Sequence, residues 1–135
     1  MTLGEAVNSV LSKYATFTGR ATRAEFWRWV VVFVLLTVVS RIIDGALFGS
    51  SIQDAFYVRD AHQPVTSLLI LALLLPNMAL AVRRLHDIGR SGWWQLIALI
   101  PVVGVVVLIV WWARLGDQAP NDWGPNPWSG FQPTR

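Results

Sequence analysis

The sequence predicts an all-α integral membrane protein, with an N-terminal amphipathic surface helix followed by three membrane segments. Three observations lead there. Of 135 residues, 54% are hydrophobic and 14% charged, against roughly 25% charged in soluble domains. Three apolar runs, at residues 26–43, 65–82 and 93–112, are each long enough as helices to cross the hydrocarbon layer of about 30 Å. Six of the eight tryptophans stand at the ends of these runs, where indole keeps its ring in lipid and its N–H toward water.

Charge narrows the class further. A net charge of +3 and a pI of 10.2 would suit nucleic acid in a soluble protein. Here the basic residues flank apolar runs, so topology and anionic lipid account for them and no nucleic-acid binding is expected. The chain has no cysteine, which removes disulfides, thiolate catalysis and Cys-ligated metals.

Residues 1–18 read as the surface helix. Leu3, Ala6, Val7, Val10, Leu11, Tyr14 and Phe17 fall at helical spacing, with Glu5, Asn8, Ser9 and Lys13 opposite. Thr2 and Glu5 have capping-box spacing. Such a helix can lie on the membrane or pack on the chain's own segments. The two are compatible.

Residues 22–44 form the first membrane segment. Thr22 and Glu25 repeat the capping spacing, and Phe26, Trp27 and Trp29 form an aromatic entry, with Arg20, Arg23 and Arg28 just outside. Arg41 lies near the far end, where it can snorkel and pair with Asp44. The following connection, with Asp54, Arg59, Asp60 and His62, is polar, and a short helix around 52–58 is compatible with it. His62 has no neighbouring histidine, so a metal site is not expected.

Residues 65–85 form the second segment, kinked at Pro76 because proline removes an intrahelical donor. Asn77 is placed to compensate, for its own helix or across to another. A polar kink would also suit a substrate path. Residues 92–115 form the third segment, kinked at Pro101. A single span puts Trp93 and Trp94 at one face and Trp111 and Trp112 at the other, about 27 Å away. The rival is a re-entrant hairpin turning at Pro101–Gly104, which demands that turn backbone be satisfied within protein. The span leaves fewer backbone groups open and is the expectation. Residues 116–127, rich in Pro, Gly and Asn, read as an ordered series of turns, and 128–135 as a disordered tail, so 1–127 is one membrane domain.

Arginines set the orientation. Lys13, Arg20, Arg23 and Arg28 flank the first segment, and Arg83, Arg84 and Arg90 occupy the hinge between the second and third. Both flanks fall on one side, which the positive-inside rule makes cytoplasmic.

The stretches FTGRATRAEFW (17–27), RRLHDIGRSGWW (83–94), IPVVG (100–104) and NDWGPNP (121–127) together resemble a family. It is the small bacterial inner-membrane family typified by YhaH and YhaI, catalogued as a domain of unknown function. The resemblance covers about residues 14–127 and implies a multi-pass inner-membrane protein, with no activity attached. It departs at Asp122 and Trp123, where the pattern has a basic residue followed by Phe or Tyr. A charge cluster that used that basic residue is weaker in this chain.

The hinge carries what chemistry there is. Arg20, Arg23, Arg83, Arg84 and Arg90 share an interface with Glu25, His86 and Asp87. Ten of the 11 basic residues are arginine, whose planar fork suits carboxylate and phosphate. One reading is internal ion pairing that fixes the turn between helices. Another is recognition of an anionic phospholipid headgroup, with Gly89 and Gly92 admitting backbone N–H groups and Trp93 and Trp94 bordering the acyl region. A base–orienter pair of His86 and Asp87 is disfavoured, since adjacent helical residues diverge. No nucleophile elbow, phosphate loop, HExxH or dinucleotide fingerprint occurs. An oligomeric transporter or channel subunit is the alternative class, without the internal repeat such proteins often carry. The expectation is therefore a structural or interaction module, without catalytic residue, metal or cofactor. Its partners are the bilayer, anionic phospholipid, and a second copy or another membrane protein.

Overall fold

The computed structural model of the chain describes residues 1–49 and 63–127. In order these form α1 (Leu3–Ser12), α2 (Arg23–Phe48), α3 (Pro64–Asp87), a 3-10 helix (Gly92–Leu99) and α4 (Val103–Ala113). The short helix considered around 52–58, and His62, lie outside the described residues.

Side chains near each helix end explain where the helices start. Thr2 Oγ1 accepts from the Glu5 amide at 3.2 Å, and Glu5 accepts in return from the Thr2 amide. That amide holds the Glu5 carboxyl below its ordinary range. Thr22 Oγ1 caps α2 in the same way, at 3.1 Å from the Glu25 amide. Pro64 opens α3 at a first-turn position where its missing N–H costs nothing. Gln63 makes no side-chain cap there, and Asp44 of α2 supplies one instead. Asp44 Oδ1 accepts from Val65 N–H at 2.9 Å and Oδ2 from Thr66 N–H at 2.8 Å. Rather than a surface pair with Arg41, Asp44 thus makes a cap between helices.

Among the described residues, helices α2 and α3 are the two that are long and apolar enough to cross a membrane. Along α2, Val31, Val34, Leu35, Val38, Val39 and Ile42 form one exposed apolar stripe, and Leu47 is exposed beyond it. An apolar helix this bare needs lipid rather than water around it. The core lies where α1 meets the pair, from Val10, Ala21, Phe26, Trp29, Leu73, Leu80 and Ala81.

Helix α1 stops at Ser12, short of the expected residue 18. The turns that follow carry Tyr14 to α3, where its hydroxyl donates to the Ala72 carbonyl. That is the carbonyl which Pro76, four residues on, cannot serve. Asn77 compensates elsewhere. Its Oδ1 accepts from Trp29 Nε1 at 2.6 Å, tying α2 to α3. Asn77 is therefore a strut between the two helices, and α3 is one helix through Pro76.

The expected single helix over 92–115 does not form. The chain doubles back between Leu99 and Val103, and Trp94 and Trp111 meet edge to face with centroids 5.5 Å apart. The turn is a γ-turn at Val102 (φ 63°, ψ −63°), closed by Val103 N–H to Pro101 C=O at 2.7 Å. A positive-φ γ-turn at a β-branched residue is strained. The carbonyls of Ile100, Pro101 and Val102 are nonetheless all bonded. Pro101 has no N–H, Gly104 N–H reaches Ile100 C=O at 3.2 Å, and Val106 N–H reaches Val102 C=O at 3.0 Å. A Cβ on Gly104 would sit 1.6 Å from the Ile97 carbonyl oxygen, so only glycine lets the two arms approach. Proline and glycine here mark a reversal, where spacing alone suggested a bend.

Candidate functional site

The hairpin returns the tail to the hinge, and three stretches of chain meet there: 17–25, 83–90 and 112–124. Asp87 closes α3 at their centre. Its Oδ1 accepts from Arg20 Nε at 2.9 Å and its Oδ2 from Arg84 Nη1 at 2.6 Å. All three side chains are at most 1% exposed. Beside them Arg83 Nη1 meets Glu25 Oε1 at 3.1 Å, and Ser9 of α1 donates to the same oxygen at 2.9 Å. Arg83 Nε and Nη2 are buried and have no partner among the described residues.

Three buried guanidiniums face two carboxylates here, and backbone carbonyls take up the further donors of Arg20 and Arg84. Arg84 Nε donates to Trp112 C=O at 3.0 Å and Nη2 to Arg114 C=O. Arg23, largely exposed, reaches Ala113 C=O at 3.4 Å. These are the last carbonyls of α4, the negative end of its dipole. Arg20 in turn donates to the carbonyls of Asp117, of Ala119 at 3.0 Å and of Gly124 at 3.4 Å. Gly116 passes so close that a Cβ would lie 2.0 Å from Asp87 Oδ2. The acids of the tail, Asp117 and Asp122, do not pair with the arginines. Backbone does that work.

His86 and Asp87 point to different partners. His86 Nδ1 lies 3.0 Å from Gly19 C=O, and its ring stacks on Trp123 at 4.8 Å and 10°. Asn121 Nδ2 donates to the His86 carbonyl at 2.8 Å. Gly89 N–H donates back to His86 C=O at 3.1 Å, and Gly92 packs on Val82. The Gly89 amide is therefore not the open donor that headgroup recognition asked of it.

The tryptophans divide. Trp27, Trp93 and Trp94 are exposed, as anchors at an interface would be. Trp29 is 2% exposed and bonded to Asn77, so it is a core residue and not an anchor. Trp112 is half-buried against Phe26 at 5.0 Å. Trp111 carries Arg90, whose guanidinium carbon lies 4.0 Å from the ring centroid and 5.8 Å from that of Trp94. Arg90 thus stands apart from the buried cluster. The acceptor carbonyls of 112–124, Gly116, Asn121 and Ser9 were not singled out by sequence. Only the Gly116 and Asn121–Pro127 pattern of turn residues hinted at a close approach.

Residues 14–125 match the family described as protein of unknown function (DUF805). The chain is 34% identical over 118 residues to inner membrane protein YhaH of Escherichia coli (strain K12), covering 87% of this chain and 92% of that one. It is 36% identical over 120 residues to inner membrane protein YhaI of the same strain, covering 88% and 92%. To the uncharacterized protein YiiR of that strain it is 30% identical over 100 residues, covering 74% and 58%. No solved structure matches. These relatives are named as inner membrane proteins, and α2 and α3 are the candidate membrane spans among the described residues. The chain belongs to the DUF805 family.

Proposed function

We propose that this DUF805 protein is a structural and interaction module of the inner membrane, in which the buried arginines Arg20, Arg83 and Arg84 are spent on the protein itself. Helices α2 and α3 span, the hairpin of the 3-10 helix and α4 is re-entrant, and the N-terminus, hinge and tail share the cytoplasmic face. The observation that carries this reading is Asp87, held between Arg20 and Arg84 beneath the tail. Headgroups have no access to a carboxylate and two guanidiniums at most 1% exposed.

The re-entrant reading is supported by the turn at Val102. Its carbonyls are bonded and Pro101 brings no donor, which reduces the open backbone groups that a reversal within lipid must carry. Leu99, Val102 and Val103 at its tip are all more than 60% exposed, apolar surface that a bilayer would cover. The arginine count supports the cytoplasmic side. Catalysis is not part of the proposal, because His86 and Asp87 are each engaged with different groups.

A fluorescent reporter that matures only in the cytoplasm, fused after Arg135, tests the topology. A bright fusion is expected. A dark fusion alongside outer-face labelling of a cysteine at the same end would restore a third span and overturn the proposal.

A further inference from the structure

The buried arginines leave two others over. Arg90 and Arg114 have no hydrogen-bond or ion-pair partner for their side chains among the described residues, and both line a polar cavity of about 340 Å³. Ile88, Gly89, Leu115 and Asp117 complete its wall. Arg90 is held over Trp111, its guanidinium carbon 4.0 Å from the ring centroid. That contact uses none of its N–H donors. Asp117 is held too: its Oδ2 accepts from Asn121 Nδ2 at 3.0 Å and would be 2.9 Å from a Cβ on Gly89. The cavity therefore presents two guanidiniums and one carboxylate, a balance of one positive charge.

We infer that this cavity binds the headgroup of an anionic phospholipid whose phosphodiester carries a neighbouring hydroxyl, as in phosphatidylglycerol. The inference rests on the re-entrant reading, which sets Trp94, Trp111 and the cavity together at the interface. The two arginines take the phosphate oxygens, and the Asp117 carboxylate accepts from the hydroxyl. One lipid charge cancels the site's charge. A phosphate dianion would face Asp117 without a donor to offer it, and choline offers no donor at all. The ligand is thus set by charge and by hydrogen-bonding sense together.

Native mass spectrometry of the whole chain in gentle detergent, titrated separately with phosphatidylglycerol, phosphatidic acid and phosphatidylcholine, tests this. Phosphatidylglycerol is expected to be retained about tenfold better than phosphatidylcholine, a difference of the size one charged hydrogen bond gives. The double variant Arg90→Gln, Arg114→Gln should bring it down to the phosphatidylcholine level, with its melting midpoint in detergent unchanged. Asp117→Asn should erase the preference over phosphatidic acid. Arg23→Gln, outside the cavity, should change nothing. Equal retention of all three lipids, or full phosphatidylglycerol binding by the double variant, would overturn the inference. So would stabilisation by inorganic phosphate alone that needs both arginines, since that marks a free-phosphate site. A dark cytoplasmic reporter with lipid binding intact would instead count against the topology.

Discussion

The two ends of the α2–α3 pair solve one problem with opposite chemistry. At the far end, Asp44 puts a negative charge on the first amides of α3. At the hinge end, Arg84 puts a positive charge on the last carbonyls of α4. Each is a charged side chain from one helix completing the terminus of another. They differ in what else they hold. The far end joins two helices, with Thr66 donating to Ser40 at 3.1 Å as its supplement. The hinge end joins three stretches of chain through one carboxylate. A charge that only caps a helix can be lost with a local penalty. A charge that neutralises two buried cations cannot.

Removing Asp87 is accordingly the largest break. Asp87→Ala strands Arg20 and Arg84 together, and loss of one partner in a buried network costs about 3–5 kcal/mol. Unfolding in detergent followed by tryptophan fluorescence should show it, and parent-like stability would sink the internal-pair reading. Gly104→Ala comes next. Its Cβ would meet a backbone carbonyl, so the hairpin arms must part, at about 1–3 kcal/mol as for other overpacked sites. Loss of contact between Trp94 and Trp111 should shift their emission. If that variant is silent, the arms are not as close as described.

Asp44→Ala should cost less again. Its effect should be local, read as faster hydrogen exchange at the Val65 and Thr66 amides with the hinge amides unmoved. Spread of that change to Arg83–Asp87 would mean that the two ends are one cooperative unit and erase the contrast drawn here. Tyr14→Phe is the smallest, about 0.5–1.5 kcal/mol for one hydrogen bond to the Ala72 carbonyl. A larger loss would place Tyr14 among the determinants of α1 docking rather than as a late supplement.

Much of the helical architecture was legible because membranes simplify the code. Apolar length fixes α2 and α3, and Thr2, Thr22 and Pro64 fix their starts and that of α1. The arginine cluster was also visible as a concentration of charge where lipid meets water. Its partners were not. Arg20 and Arg84 are satisfied largely by carbonyls, which every residue has and no composition reveals. The hairpin escaped for a related reason. Pro101 and Gly104 read equally well as a bend, and the choice turns on whether two arms pack, which depends on the bare Cα of Gly104. Trp29 and Asn77 look like a belt residue and a kink residue separately. Their bond exists only once α2 lies beside α3.

The placement of the carbonyl acceptors late in the chain has a consequence for how the protein is made. Residues 112–124 leave the ribosome after every group that they cover. Until then the pair α2–α3 can be inserted and correctly oriented, yet Arg20 and Arg84 still lack those acceptors. Closure therefore waits on the tail, whatever the order in which the helices enter the lipid. A chain stalled before Gly116 would differ from the finished protein less in its long apolar helices than in an unsealed patch of charge at their hinge end. Such a product would present to a membrane protease the very stretch that the complete protein hides.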